Sequence, residues 1–170
     1  MIDAHVHPLL RVPTIYFPRE LERGFKRRAR VAFPLEHIEA IAGDFDAWSG
    51  GVRIKALLDM AHTRHKDGRG LTMLDADDND HNEVEFVKKW AEELGHRWLG
   101  TIHTHPGNDT CHEMSLTDHR QGWAEGELVS GILHLYRVGN PPVGLKPDRR
   151  RWNSRLAWWI PQPEILTVYT

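Results

Sequence analysis

A chain of 170 residues, 40% apolar and 27% charged, suits one compact globular domain with a core of its own. Its net charge of −2 gives no overall bias toward nucleic acid or anionic membranes. The one cysteine, Cys111, excludes an intrachain disulfide and a multi-cysteine zinc knuckle.

Met1 to Leu10 lacks the basic-then-apolar layout of a signal peptide. No apolar run approaches the ~20 residues that cross a bilayer, so a cytoplasmic protein without a membrane partner is expected. After the apolar stretch Val12 to Phe17, the spacing of Leu21, Phe25, Arg28 and Ala29 predicts a short helix within residues 18–31. Phe33-Pro34-Leu35-Glu36 interrupts it, since a residue before proline is pushed toward extended geometry. His37 to Phe45 reads as a strand through Ile38, Ala40 and Ala42, or as a helical turn through Ile38 and Ile41. Periodicity leaves both open. Gly50-Gly51 marks a turn into a strand over Val52 to His62, with Val52, Ile54, Ala56 and Leu58 on one face, and a hairpin results.

Asp75 to Asp80 has the composition of a calcium loop, but Asp80 stands where glycine is required and Phe86 where the closing glutamate is. It reads better as a solvated loop leading to a capping box of Asp80 and Glu83. Val84, Val87, Ala91 and Leu94 then mark the apolar face of a helix that stops at Gly95. Trp98 to His105 is a strand broken by Pro106-Gly107, and a second helix runs from near Ser115 to about Trp123. Ser130 to Val138 is a further strand. The basic stretch Lys146 to Arg155 reads as a solvated loop or protein-contact surface, and no wider basic face supports nucleic-acid binding. Leu156 to Ile160 and Glu164 to Tyr169 close the chain as extended segments, with Trp158 and Trp159 packing the terminal strand onto the core. No repeat or interdomain linker is evident, so residues 1–170 are expected to form a single α/β domain.

Histidine is enriched, at 12 of 170, and its spacing decides what it means. His103 and His105 stand two apart on a strand, so both rings project from one face, at a rim set by Pro106. Neutral imidazoles at that spacing can bind one zinc, and catalysis needs a third protein ligand beside an open position. Asp118 is best placed for that role, three residues after Ser115 on a helix face.

His103-Thr104-His105-Pro106, followed by Ser115 and Asp118, resembles the His-Ser/Thr-His-Pro…Ser-x-x-Asp signature of JAMM (MPN-type) zinc metallopeptidases. That family carries a glutamate upstream, and Pro34-Leu35-Glu36 before Ile38 to Gly43 looks similar. The resemblance is strongest over residues 20–136. The family has ten residues between the second histidine and the aspartate, whereas Pro106 to Thr117 number twelve here. A loop absorbs two residues at little cost. Asp109, His112 and Glu113 in that loop remain competing ligands, and Glu39 remains the alternative to Glu36.

The resemblance implies a mixed, curved sheet flanked by helices, of the MPN type and similar to the cytidine-deaminase-like architecture. It implies Zn2+ on His103, His105 and Asp118, Glu36 as proton carrier and Ser115 as a stabiliser of charge on the carbonyl oxygen. The implied reaction is hydrolysis of a peptide or isopeptide bond after the C-terminal glycine of a ubiquitin-like protein, in deconjugation or precursor processing. A zinc hydrolase of a small molecule or cell-wall peptide, and a non-catalytic MPN scaffold, are the alternatives. Sequence leaves the oligomeric state undetermined. Ile2-Asp3-Ala4-His5-Val6-His7 looks like the opening metal strand of amidohydrolases, but such barrels take about 250 residues. His5 and His7 therefore read as incidental, or as an adventitious second metal site.

Overall fold

The computed structural model describes residues 14–33, 35–46, 48–60, 80–106, 113–138 and 151–161. After a short strand β1 (Thr14–Tyr16), the helical spacing produces α1 (Arg19–Ala32), which buries Phe25 and Ala29. Glu20 and Glu22 sit in its first turn, where carboxylates favour the positive end of the helix dipole. Phe33 leaves the helix in extended geometry, as a residue before proline must.

Residues 38–46 form a strand, not a turn of helix: β2 (Ile38–Asp46) pairs antiparallel with β3 (Gly51–Asp59) across the turn at Trp48–Gly50. The hairpin is as expected, but the proposed single apolar face of β3 is not. A register shift opposite Ala42/Gly43 reverses the alternation, so Val52, Ile54 and Leu57 pack on the α1 side while Leu58 packs on the other. The strand closes at Asp59, and residues 61 and 62 lie outside the described residues.

Helix α2 (Asp80–Glu93) ends before Gly95, whose φ of 74° is the left-handed conformation that stops a helix. Val87 and Ala91 are buried as expected. Leu94 is not: it lies past the last turn and is 48% exposed. The side chains of the Asp80–Glu83 box, like the Asp75–Asn79 loop, lie outside the described residues.

Strand β4 (Arg97–Pro106) extends through Pro106 and is followed by α3 (Leu116–Glu125) and β5 (Val129–Val138). Strand β6 (Arg151–Trp159) begins earlier than expected. Arg151 to Arg155 are not loop but the first half of a strand that pairs antiparallel with β5. Alternation explains the basic composition, because Trp152, Leu156 and Trp158 pack on the core while Asn153 and Arg155 are exposed. Residues 139–150 and Glu164–Tyr169 lie outside the described residues, as do His5 and His7.

Among the described residues six strands make one mixed sheet in the order β1-β3-β2-β4-β5-β6, with β1/β3 and β4/β5 parallel and the other pairs antiparallel. Helix α1 covers one face, where Phe25 and Ala29 meet Ile41, Val52, Ile54, Leu99, Ile102 and Leu133. Helix α2 covers part of the other, through Val87 against Ile38, Ala40 and Met60. Over β4 and β5 on that face, Asp118, Gln121 and Glu125 of α3 border a cleft with Thr101, His103, His105 and Ser130. Among the described residues no helix is long and apolar enough to cross a membrane.

Candidate metal centre

Pairing with β2 on one side and β5 on the other fixes β4, with His103 opposite Ile38 and Ile132, and His105 opposite His134. Extended backbone then projects both imidazoles toward α3. Their Nε2 atoms lie 3.2 Å apart. Neutral imidazoles bring these nitrogens so close by sharing a proton or by sharing a cation.

Helix α3 supplies the third group. Ser115 is its N-cap and forms a reciprocal capping box: Asp118 N–H donates to Ser115 Oγ at 3.1 Å, and Ser115 N–H donates to Asp118 Oδ2 at 2.9 Å. The box holds the Asp118 carboxylate over the histidines, with Oδ2 3.8 Å from each Nε2. A triangle with edges of 3.2, 3.8 and 3.8 Å has a centre about 2.1 Å from all three corners, the distance at which zinc binds nitrogen and oxygen. The donor spacing therefore suits one shared divalent ion. Among the described residues these three side chains form the group that could hold a metal. Glu113 is exposed and stands outside that group, while Asp109, Cys111 and His112 lie outside the described residues.

Electrostatics favours occupancy. Burial pushes His103 down to about 4, helped by His105 and opposed by the Asp118 charge. Its ring is thus neutral, as a ligand must be, at any ordinary pH.

The trio lines a cleft of about 310 Å³ between α3 and the sheet, and Glu36 and Ser115 line it too. Glu36 stands two residues before β2, the strand that pairs beside the histidines, and it lines the same cleft as the trio, although Pro34 lies outside the described residues. Burial and then the Asp118 charge push its carboxyl up to about 7. Glu39 goes elsewhere. It is fully buried on the α1 side, where His37 and Arg28 hold it. Burial works against the Glu39 charge, but those hydrogen bonds and the Arg28 charge hold its carboxyl below the ordinary range.

The sequence reading missed the rest of the wall: Thr101, Gln121, Gly122, Glu125, Glu127 and Ser130. Glu127 matters most. Thr101 Oγ1 donates to its Oε1 at 2.8 Å, and the carboxyl is pushed up to about 8, by burial first and the Glu125 charge next. It is therefore largely protonated at neutral pH. Gly122 makes room for it, since a Cβ there would lie 2.8 Å from Glu127 Oε2. A lone acid just after the glycine C-cap of a helix carries no signal of burial in sequence. The alternation of β4 could have given Thr101, which shares a face with His103 and His105.

The sequence matches no protein-family model and no curated protein. In structure it is similar to the solution structure of protein DSY2949 from Desulfitobacterium hafniense, at 16% identity and a TM-score of 0.49, over 85% of this chain and 84% of that one.

Proposed function

We propose that the chain is a zinc-dependent hydrolase of peptide or isopeptide bonds, with a single domain of the MPN type, similar to the cytidine-deaminase-like architecture. The observation that carries this reading is the common centre about 2.1 Å from His103 Nε2, His105 Nε2 and Asp118 Oδ2, in a cleft that Glu36 and Ser115 also line. Zinc, when bound, supplies Lewis acidity that lowers the pKa of water toward ~7 and polarises a carbonyl.

The chain's own residues supply the rest. A carboxyl poised near 7 is matched to taking a proton and returning it, so Glu36 takes the proton of the attacking water and delivers it to the departing nitrogen. Ser115 Oγ accepts the Asp118 N–H, which leaves the hydroxyl proton to be donated to the oxygen of the scissile carbonyl as charge develops there. His103, His105 and Asp118 would hold the ion. No side chain forms a covalent bond to the substrate.

The substrate in this reading is a ubiquitin-like protein or its conjugate, cut after the C-terminal glycine, by the resemblance of the His-Thr-His-Pro and Ser-x-x-Asp residues. The test combines metal analysis with a substrate panel. Protein purified without added metal should carry on the order of one zinc per chain. It should also cleave ubiquitin-like fusions or lysine conjugates. Cleavage of short peptides alone would sink the isopeptidase assignment, and zinc below about 0.3 equivalents would favour a binding scaffold.

A further inference from the structure

Behind the cleft, on the α1 face of the sheet, runs a polar chain, buried at Glu39 and His37 and 35% exposed at Arg28, that the hydrolytic steps do not use. Glu39 is 0% exposed, and Arg28 of α1 grips both its oxygens, Nε to Oε1 at 2.6 Å and Nη2 to Oε2 at 2.8 Å. The same Oε1 meets His37 Nε2 at 2.5 Å, and the His37 ring is 1% exposed beside Phe25. His37 then ties its own backbone to β4. Its N–H donates to Thr104 Oγ1 at 2.7 Å, and its carbonyl accepts the Thr104 N–H at 2.9 Å.

Such a chain is poor material for stability alone. Apolar residues of similar volume hold a helix on a sheet as well as, or better than, a buried ion pair. What ionic hydrogen bonds add is direction, because an Arg–carboxylate fork tolerates one geometry. The neighbours of the two linked residues say what is being directed. Thr104 separates His103 from His105, and His37 follows Glu36. Alternation turns Thr104 and His37 toward α1 and sends Glu36, Ile38, His103 and His105 to the cleft.

We propose that Arg28, Glu39, His37 and Thr104 are positioning residues that fix Glu36 against the histidine pair through the two hydrogen bonds that join the His37 backbone to the Thr104 hydroxyl and N–H. Glu36 lies outside β2 itself, so strand pairing does not hold it; the Leu35 N–H to Ala32 carbonyl bond anchors the chain before it, and the two hydrogen bonds at His37 anchor it on the side of β4. Thr104 therefore sets the reach of the proton carrier from the opposite side of the sheet. The kinetic consequence rests on the hydrolase reading above, whereas the geometric one does not.

Thr104→Val keeps the shape and removes the hydroxyl; Thr104→Ser keeps the hydroxyl. In Thr104→Val, kcat should fall by about 10- to 100-fold, with KM within about twofold of wild type and zinc content unchanged, because a displacement near 1 Å costs on that order. Thr104→Ser should recover most of the rate. Crystal structures of the metal-free proteins should show the Glu36 carboxylate moved by about 1 Å from the His103 and His105 rings in Thr104→Val, and restored in Thr104→Ser. Glu39→Gln, read in the same way, serves if Thr104→Val does not fold. Unchanged kcat, or Glu36 unmoved within about 0.5 Å, overturns the proposal. If wild-type protein cleaves nothing, the hydrolase reading falls and the position of Glu36 alone decides this one.

Discussion

Two carboxylates that stand three positions apart in sequence meet opposite fates, and the difference is which face of the sheet each one reaches. Glu39 is turned toward α1, where the Arg28 fork and the His37 ring keep it charged. Glu36 is turned to the cleft, where burial and the Asp118 charge raise it to about 7. A fully clamped carboxylate cannot exchange protons readily, whereas one near neutrality can. Glu36→Gln should therefore retain zinc and lose orders of magnitude in kcat, while Asp118→Ala should lose the zinc itself. Metal analysis beside single-turnover rates separates the two. Full activity in Glu36→Gln would mean that another group carries the proton.

At the scale of elements, the start of α3 does two jobs with one set of atoms. Ser115 and Asp118 close the helix end against each other, and the same contacts aim Asp118 Oδ2 at the histidines and the Ser115 hydroxyl into the cleft. Ser115→Ala removes the Oγ side of the box but keeps the Ser115 N–H that orients Asp118. It should cost about 1 kcal/mol, or about 2–4 °C in melting temperature, with zinc retained. The rate should drop further, by about 10²–10³, as when an oxyanion donor is deleted. Calorimetry against kcat on the same sample checks this, and a rate loss no larger than the stability change would reduce Ser115 to a cap. The site was legible in sequence because the three-residue Ser115–Asp118 spacing and the two-residue histidine spacing are local patterns. Periodicity also gave α1 and α2, while the Gly50-Gly51 turn suggested the β2–β3 hairpin that periodicity had left open at residues 37–45. Periodicity failed at β3, where a bulge swaps faces without changing composition, and at β6, where the arginines of residues 149–155 made the start of a strand read as a basic loop. Glu127 and the Arg28–Glu39–His37 chain were hidden for another reason. Their burial depends on contacts between distant segments, and no single window of sequence contains them.

For the whole molecule, the cleft makes stability depend on pH and on metal together. Glu127 has its folded-state pKa raised to about 8, above the value near 4.5 expected unfolded, so between those values the native state holds the proton more tightly. Its contribution is present below about pH 4.5 and is lost as pH rises through 8. Glu36 acts in the same direction up to about 7 in the metal-free chain. His103, held down to about 4, adds stability as pH rises from there to about 6.5, so the fall shows above that value, where the metal-free protein should lose on the order of 2 kcal/mol by about pH 9. Glu127→Gln, which keeps an uncharged partner for Thr101, should flatten most of that slope. Zinc should act in the opposite sense, since it binds the folded trio and its charge favours the Glu36 carboxylate. Denaturant unfolding across this pH range, with and without one equivalent of zinc, gives both effects. A metal-free curve that is flat, or equally steep in Glu127→Gln, would show that the buried acid is charged in the native state and that the cleft is wetter than its geometry implies.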